Sequence, residues 1–293
     1  MARAIQIGNR WVGEGYPTYV VAEIGINHNG DMEVTKKLIE AAKHAGVDAV
    51  KFQKRTPELC VPPEQRNQMR ETPWGYITYL EYRYKVEFGP QEYQEIDRYC
   101  REVGIDWFAS VWDEPSIEFL EAYNPLCYKV PSASLTDHNL LRCLQKTGRP
   151  VILSTGMSTM DQVRAGVGLL DMNKLLITHT TSTYPCDPNE LNLRVIQELQ
   201  KEFACPIGYS GHEVGLIPSV VAVALGACLV ERHITLDRAM WGSDQAASVE
   251  PGGFERMVKY IRVTEQSMGD GVKKVYDSEM PSLRRLRRVS DGS

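Results

Sequence analysis

The chain has 293 residues, 33 Lys+Arg against 38 Asp+Glu, and a formal net charge of −5. That balance argues against nonspecific nucleic-acid binding, which needs surplus basic side chains, and no run of about 18 apolar residues offers a membrane span. The N-terminus MARAIQIGNRW lacks the apolar stretch of a secretory signal, and seven Cys without a C-x-x-C pair speak against a disulfide framework or a Cys-rich zinc site, so a cytoplasmic setting is expected.

Residues 4–18 read as a short β-hairpin turning at Gly8-Asn9, placed to plug a barrel floor. Eight short apolar runs follow, at 19–26, 49–53, 106–112, 128–132, 150–156, 175–182, 206–212 and 228–236. Near-continuous apolar runs are expected of parallel strands covered on both faces. Helical patterns lie between them. Asp31 suits an N-cap, with Val34, Leu38, Ala41 and Ala45 on one face and Gly46 at the stop. Pro90 opens the next helix, whose Tyr93, Ile96, Cys100 and Val103 share a face before Gly104. Asp113-Glu114-Pro115 and Thr136-Asp137 open two more, and segments 159–171, 192–202, 216–227 and 252–268 complete the set. Eight strand–helix pairs predict an α/β fold, a (β/α)8 TIM barrel. One catalytic domain over 1–280 is expected. It carries the N-terminal hairpin (1–18) and a long insertion after the second strand (54–89), and a tail occupies 281–293.

Chemistry in such barrels collects at the C-terminal ends of the strands. Those ends are polar here: Glu23 and Asn27, Lys51 and Gln53, Ser110, Lys129 and Ser132, Ser154, Thr180, Ser182 and Tyr184, Ser210 and His212, Glu231 and His233. Residues two apart on a strand point to one side, so Lys51/Gln53, Ser210/His212 and Glu231/His233 can each face the mouth together. Two Lys inside apolar runs need partners, because an unpaired buried ammonium costs several kcal/mol. They admit three readings: structural Lys–Glu pairs, an anionic ligand held with nearby hydroxyls, or a Schiff-base lysine. His212 and His233 can share a metal completed by water and substrate. G-x-G-x-x-G, G-x-x-x-x-G-K-[ST] and G-x-S-x-G are all absent, which leaves a Rossmann dinucleotide site, a P-loop and a serine-hydrolase elbow unsupported.

The runs 22-AEIGINHNGD-31, 51-KFQ-53, 129-KVPSA-133, 153-LSTGMS-158, 181-TSTYP-185, 207-IGYSGHE-213, 231-ERHITLD-237 and 242-GSDQAASVEP-251 together resemble the N-acetylneuraminate (sialic acid) synthase family. The likeness covers roughly residues 17–270. It implies an enzyme that condenses phosphoenolpyruvate with an open-chain sugar aldehyde of the N-acetylmannosamine type. The products are a 3-deoxy-2-ulosonic acid and phosphate. It also implies roles. Lys51, Lys129, Ser132, Ser154 and Ser210 match positions that hold phosphoenolpyruvate. Ser110 joins them, although 109-ASVWD-113 departs from the commoner Ser-Thr-Pro-Phe stretch. His212 and His233 match the ligands of a divalent cation, Mn2+ or Mg2+. Gln53, Tyr184 and Asp244 match positions around the sugar, as does Glu23, and Glu231 sits beside the metal; either Glu can move a proton. A homo-oligomer is expected.

Many members of that family continue into a small antifreeze-like domain that helps bind the sugar's acyl group. An independent domain needs roughly 50 residues, and about 25 follow the last predicted helix, so the resemblance is to the barrel alone. Two alternatives stay open. One is a phosphorylated acceptor, as in 3-deoxy-octulosonate 8-phosphate synthase, for which Arg55, Arg66, Arg70 and Arg83 are candidate phosphate contacts. The other is a noncatalytic sugar-binding barrel.

Overall fold

The computed structural model describes residues 3–289; residues 1–2 of the predicted hairpin segment and 290–293 of the predicted tail lie outside the described residues. The hairpin is β1 (Ala4–Ile7) and β2 (Arg10–Gly13), turning at Gly8-Asn9. The barrel strands are β3 (Tyr19–Gly25), β4 (Ala49–Lys54), β7 (Asp106–Val111), β8 (Tyr128–Val130), β9 (Val151–Ser154), β10 (Leu175–Thr180), β11 (Ile207–Gly211) and β12 (Leu229–His233). They pair in parallel, in chain order, and β12 closes onto β3. Most strands stop short of the predicted runs at their C-terminal ends, where the backbone leaves the ladder to build loops; Ser132–Ser134 after β8 is a 3-10 turn.

The surrounding helices are α1 (Met32–His44), α4 (Pro90–Val103), α5 (Glu114–Glu121), α6 (His138–Thr147), α7 (Met160–Val167), α8 (Val195–Glu202), α9 (Ile217–Ala224) and α10 (Pro251–Met268). Their ends follow the expected signals. The Asp31, Asp113 and Asp137 carboxylates accept backbone N–H bonds at the starts of α1, α5 and α6. Gly104 and Gly148 end α4 and α6 in the left-handed region. The face of α1 differs from expectation. Thr35, Leu38, Ile39 and Ala42 are buried, while Val34 and Ala41 sit at the edge of the core. The stripe is rotated because the helix packs against α4 as well as the sheet.

Side chains of the strands alternate between two environments, as the pleat requires. Val20, Ala22, Ile24, Val50, Phe52 and Val230 point outward to the helices and form the large core layer. Tyr19, Val21, Ala49, Phe108, Ile152, Leu176 and Leu229 fill the barrel interior, closed below by Ile5, Ile7 and Val12 of the hairpin. The floor is therefore apolar and plugged, and the polar residues above it stand on that platform.

The 54–89 insertion is structured. It holds α2 (Pro57–Cys60), a hairpin of β5 (Met69–Thr72) and β6 (Gly75–Thr78), and α3 (Tyr79–Lys85), which starts with a Thr78/Glu81 capping box. Thr56 anchors its base by donating from Oγ1 to Asp113 at 3.1 Å. Its far side reaches the loop after β12: the rings of Tyr82 and Trp74 meet Trp241 edge-on at 5.3 and 5.9 Å. The predicted tail begins within a helix, α11 (Met280–Leu286).

Candidate active site

Strand register places the polar residues. In the parallel ladder His233 lies beside Glu23, and Glu23 beside Lys51. Gln53 lies beside Ser110, and Ser110 beside Lys129. Glu231 lies beside Ser210, and Ser210 beside Thr180. Inward residues two apart on each strand thus stack in layers over the apolar floor. Glu23, Lys51, Gln53, Ser110, Lys129, Ser132, Ser154, Tyr184, Ser210, His212, Glu231 and His233 all line one cavity of about 190 Å3 at the barrel mouth. Asp244 is the one expected site residue outside that lining; its Oδ2 stands 3.8 Å from His233 Nδ1. The volume suits a small, highly charged ligand rather than a polymer.

The centre of the cavity is a buried charge quartet. Lys129 donates to both Glu231 oxygens at 2.9 Å, and Ser210 Oγ donates to Oε1 at 3.1 Å. Lys51 pairs with Glu23 Oε2 at 2.7 Å and stands 3.7 Å from Glu231. Gln53 Nε2 donates to Glu23 Oε1 at 3.0 Å. Burial alone would raise the Glu231 carboxyl, but Lys129 and Lys51 overcome it and hold the group down at about 2. Burial lowers Lys129, Glu231 pulls it back up and Lys51 pushes it down, leaving it below the usual ammonium value. Against burial, Glu23 and Glu231 raise Lys51, which disfavours the neutral amine that an imine needs.

The hydroxyl wall is organised too. Ser154 Oγ lies 2.9 Å from Thr178 Oγ1, and Ser132 Oγ accepts from the Gly156 N–H at 3.1 Å. Gly156 has no room for a side chain: a Cβ there would come within 2.6 Å of Ser132 Oγ and 2.3 Å of Ser182 Oγ.

His212 and His233 face each other with ring centroids 5.6 Å apart. His212 Nδ1–H donates to the Thr181 carbonyl at 2.8 Å, which leaves the Nε2 lone pair free. Burial, and then His233, lower His212 to about 3, so it is neutral at physiological pH. His233 Nδ1 is buried without a hydrogen-bond partner. A neutral His212 imidazole facing His233, whose Nδ1 is orphaned, fits a divalent cation. No group of three or more His, Cys, Asp or Glu is arranged to hold a metal among the described residues, so the protein would leave most coordination positions open. Tyr184 packs against His212 at 4.0 Å.

His28 and His179 are tied into the surrounding fold. His28 stacks on Phe88 at 4.0 Å and accepts from the Gly30 N–H, and His179 Nε2 bonds the Leu191 carbonyl at 2.7 Å. Trp112, Met157, Pro131 and Ala133 also line the cavity and were not expected there. Trp112 was within reach of the sequence, since it follows Ser110 by two.

Behind the site, Arg232 and Glu213 form a fully buried ion pair at 2.7 Å. Ser219 and the Gly215 carbonyl take further donors of Arg232 at 2.9 Å. The pair fixes β12 against the loop after β11, and with it Glu231 and His233. Glu213→Ala strands the guanidinium and is expected to cost about 3–5 kcal/mol, read as a lower urea midpoint with unchanged slope.

Comparison with known proteins agrees with this geometry. The family model described as "NeuB family" matches residues 38–273. Human N-acetylneuraminate-9-phosphate synthase is 43% identical over 283 residues, 94% of this chain and 78% of that protein. N,N'-diacetyllegionaminic acid synthase of Legionella pneumophila is 32% identical over 94% of this chain and 80% of its own length. The crystal structure of N-acetylneuraminic acid (sialic acid) synthetase from Leptospira borgpetersenii, in complex with citrate, superposes with a TM-score of 0.87 at 28% identity, covering 99% of both chains. A plugged parallel barrel, a mouth lined by paired Lys and Glu with two facing His, and a family match over most of the length lead to one conclusion: this chain belongs to the NeuB family.

Proposed function

We propose that the protein joins phosphoenolpyruvate to the aldehyde carbon of an open-chain, N-acylated aldose, giving a 3-deoxy-2-ulosonic acid and inorganic phosphate. The observation that carries this reading is the buried Lys51–Lys129–Glu23–Glu231 quartet ringed by Ser110, Ser132, Ser154 and Ser210, with a two-His site beside it. The relatives' names support it, since they are synthases of sialic and legionaminic acids. Those names differ in the sugar acid and in whether the product carries a phosphate.

Lys51, Lys129 and the hydroxyls are suited to the carboxylate and phosphate of phosphoenolpyruvate. A divalent cation, Mn2+ or Mg2+, held by His212 and His233 supplies Lewis-acid polarisation of the acceptor carbonyl when bound. Carbon 3 of phosphoenolpyruvate forms the new bond to the aldehyde carbon, whose oxygen gains a proton. Water adds to carbon 2, and the resulting tetrahedral centre expels phosphate and becomes the ketone. We assign the water's proton to Glu23. Both Glu231 oxygens are occupied by Lys129, whereas Glu23 is held by one Lys and one amide. Gln53, Tyr184 and Asp244 are the residues we assign to the sugar. Exposed Ile217 and Val221 on α9, with Tyr260 and Val263 on α10, support a homo-oligomer. The test is phosphate release from phosphoenolpyruvate with and without acceptor. Release that requires both acceptor and Mn2+ bears the reading out, and acceptor-independent hydrolysis contradicts it.

A further inference from the structure

The 54–89 insertion and the loop after β12 meet through three aromatic rings. Of residues 69–76, which make the hairpin of the insertion, only Thr72 is buried, so the hairpin adds almost nothing to the core. What it does is present Trp74. Thr72 Oγ1 accepts from the Trp74 N–H at 3.2 Å and donates to the Gly75 carbonyl at 2.8 Å, which fixes the turn that carries the indole. The indole is 37% exposed, meets the Trp241 ring edge-on at 5.9 Å and lies against Tyr82 at 6.4 Å. Tyr82 is buried on α3 in a small cluster with Ile26 and Val86, and it meets Trp241 edge-on at 5.3 Å.

Trp241 stands three residues before Asp244, the expected site residue outside the cavity lining. The stretch that carries both is pinned near its two ends. Asp237 accepts from the Ala239 N–H at 2.8 Å, and Arg238 Nε donates to the Ala246 carbonyl at 3.0 Å. The Asn27 amide donates to Ser248 Oγ, which donates to the Asp244 carbonyl at 2.7 Å. The middle is tied to other elements at Trp241: its ring meets the insertion, and the Asn29 amide donates to its carbonyl at 2.9 Å. The Asp244 carboxylate takes a hydrogen bond from Ser243 Oγ, its own neighbour, at 2.7 Å, and stands 3.8 Å from His233 Nδ1. Its position therefore comes from the backbone around it, not from a bond of its own to the barrel. Loss of one edge-on aromatic pair shifts a local opening by about 10-fold, and a displacement of about 1 Å at a substrate contact can cost about 100-fold.

We propose that Trp74, with Tyr82 and through Trp241, is a positioning residue for the acceptor: the insertion clasps the loop after β12 and holds Asp244 beside His233. This rests on the condensation reading above and on Asp244 as a contact of the sugar. The loop after β3 lies between the two clasped segments and is fitted to both. Asn27 and Asn29 bond the β12 side, and on the other side Gly30 approaches α3 so closely that a Cβ would stand 2.2 Å from the Lys85 carbonyl. The loops after β12, β3 and β4 thus act as one unit at the side of the mouth that bears Glu23 and Gln53.

The experiment has two arms. In the first, hydrogen exchange followed by mass spectrometry compares the wild type with Trp74→Ala and Trp241→Ala, without substrates. Residues 238–247 are expected to exchange about 10-fold faster in both variants, while β7 stays unchanged. Unchanged exchange in the loop overturns the proposal, and so does an equal rise in β7, which marks a general loss of stability. In the second, acceptor kinetics are measured with N-acetylmannosamine or its 6-phosphate, whichever the wild type turns over. Trp74→Ala is expected to raise acceptor KM about 10-fold while KM for phosphoenolpyruvate stays unchanged, and Trp74→Phe to recover most of the loss. In an Asp244→Ala background Trp74→Ala should add no further loss, because its effect runs through Asp244. A full additional loss there, or an equal rise in KM for phosphoenolpyruvate, overturns the proposal and leaves the condensation reading standing. If neither acceptor reacts, the condensation reading fails, and the exchange arm still decides whether Trp74 holds the loop.

Discussion

Lys129→Met is expected to lower phosphoenolpyruvate-dependent phosphate release by about 10^3-fold or more, because it removes a preorganised charge from a water-excluded site. The same change leaves Glu231 buried with the Ser210 hydroxyl at 3.1 Å and with Lys51, at 3.7 Å, as its ion-pair partner. Breaking one side of a buried pair costs about 3–5 kcal/mol, so Tm should fall as well. The two effects separate in the double variant. Lys129→Met with Glu231→Gln replaces a stranded charge by a neutral amide and should recover most of the stability. It should recover none of the activity. Urea unfolding and phosphate release measured on the three proteins check this. If the double variant regains turnover, Lys129 serves only to neutralise Glu231 and has no part in binding phosphoenolpyruvate.

Loss of either imidazole is expected to be nearly as severe. His212→Ala and His233→Ala should each cut turnover by about 10^3-fold, the scale of losing Lewis-acid polarisation of a carbonyl. A second readout is independent of turnover. Mn2+ titrated into the wild-type protein and followed by electron paramagnetic resonance should show a bound fraction that disappears in both variants. Chelation of the wild type should abolish phosphate release, and Mn2+ should restore it. Full activity after chelation would remove the metal from the account and leave His212 and His233 as contacts of the acceptor alone.

Much of this arrangement was legible from chain pattern. The parallel strands are fully buried, so their near-continuous apolar runs stood out, and Asp31, Asp113 and Asp137 marked helix starts that the structure keeps. The two-residue spacing within strands brought Lys51 with Gln53 and Glu231 with His233, and the register then set them beside Glu23 and Ser210. Partner choice was not legible. Nothing local to 128-YKVPS-132 says that Lys129 meets Glu231, 102 residues away across the barrel. The same holds for Arg232 and Glu213, which meet only because β12 lies beside β11. The insertion read as a loop because its hairpin strands are four residues each, too short for a period to register. Its docking through Trp74, Tyr82 and Trp241 is a long-range aromatic contact with no local sign.

The central claim is carbon–carbon bond formation at the barrel mouth. Its most direct measurement is the mass of the product formed from phosphoenolpyruvate and an N-acylated aldose, or its terminal phosphate, together with the phosphate released. The account predicts a 2-keto-3-deoxy acid three carbons longer than the acceptor, one per phosphate, absent without acceptor. Phosphate release with the acceptor recovered unchanged, or a borohydride-trapped adduct on Lys51 or Lys129, would contradict it.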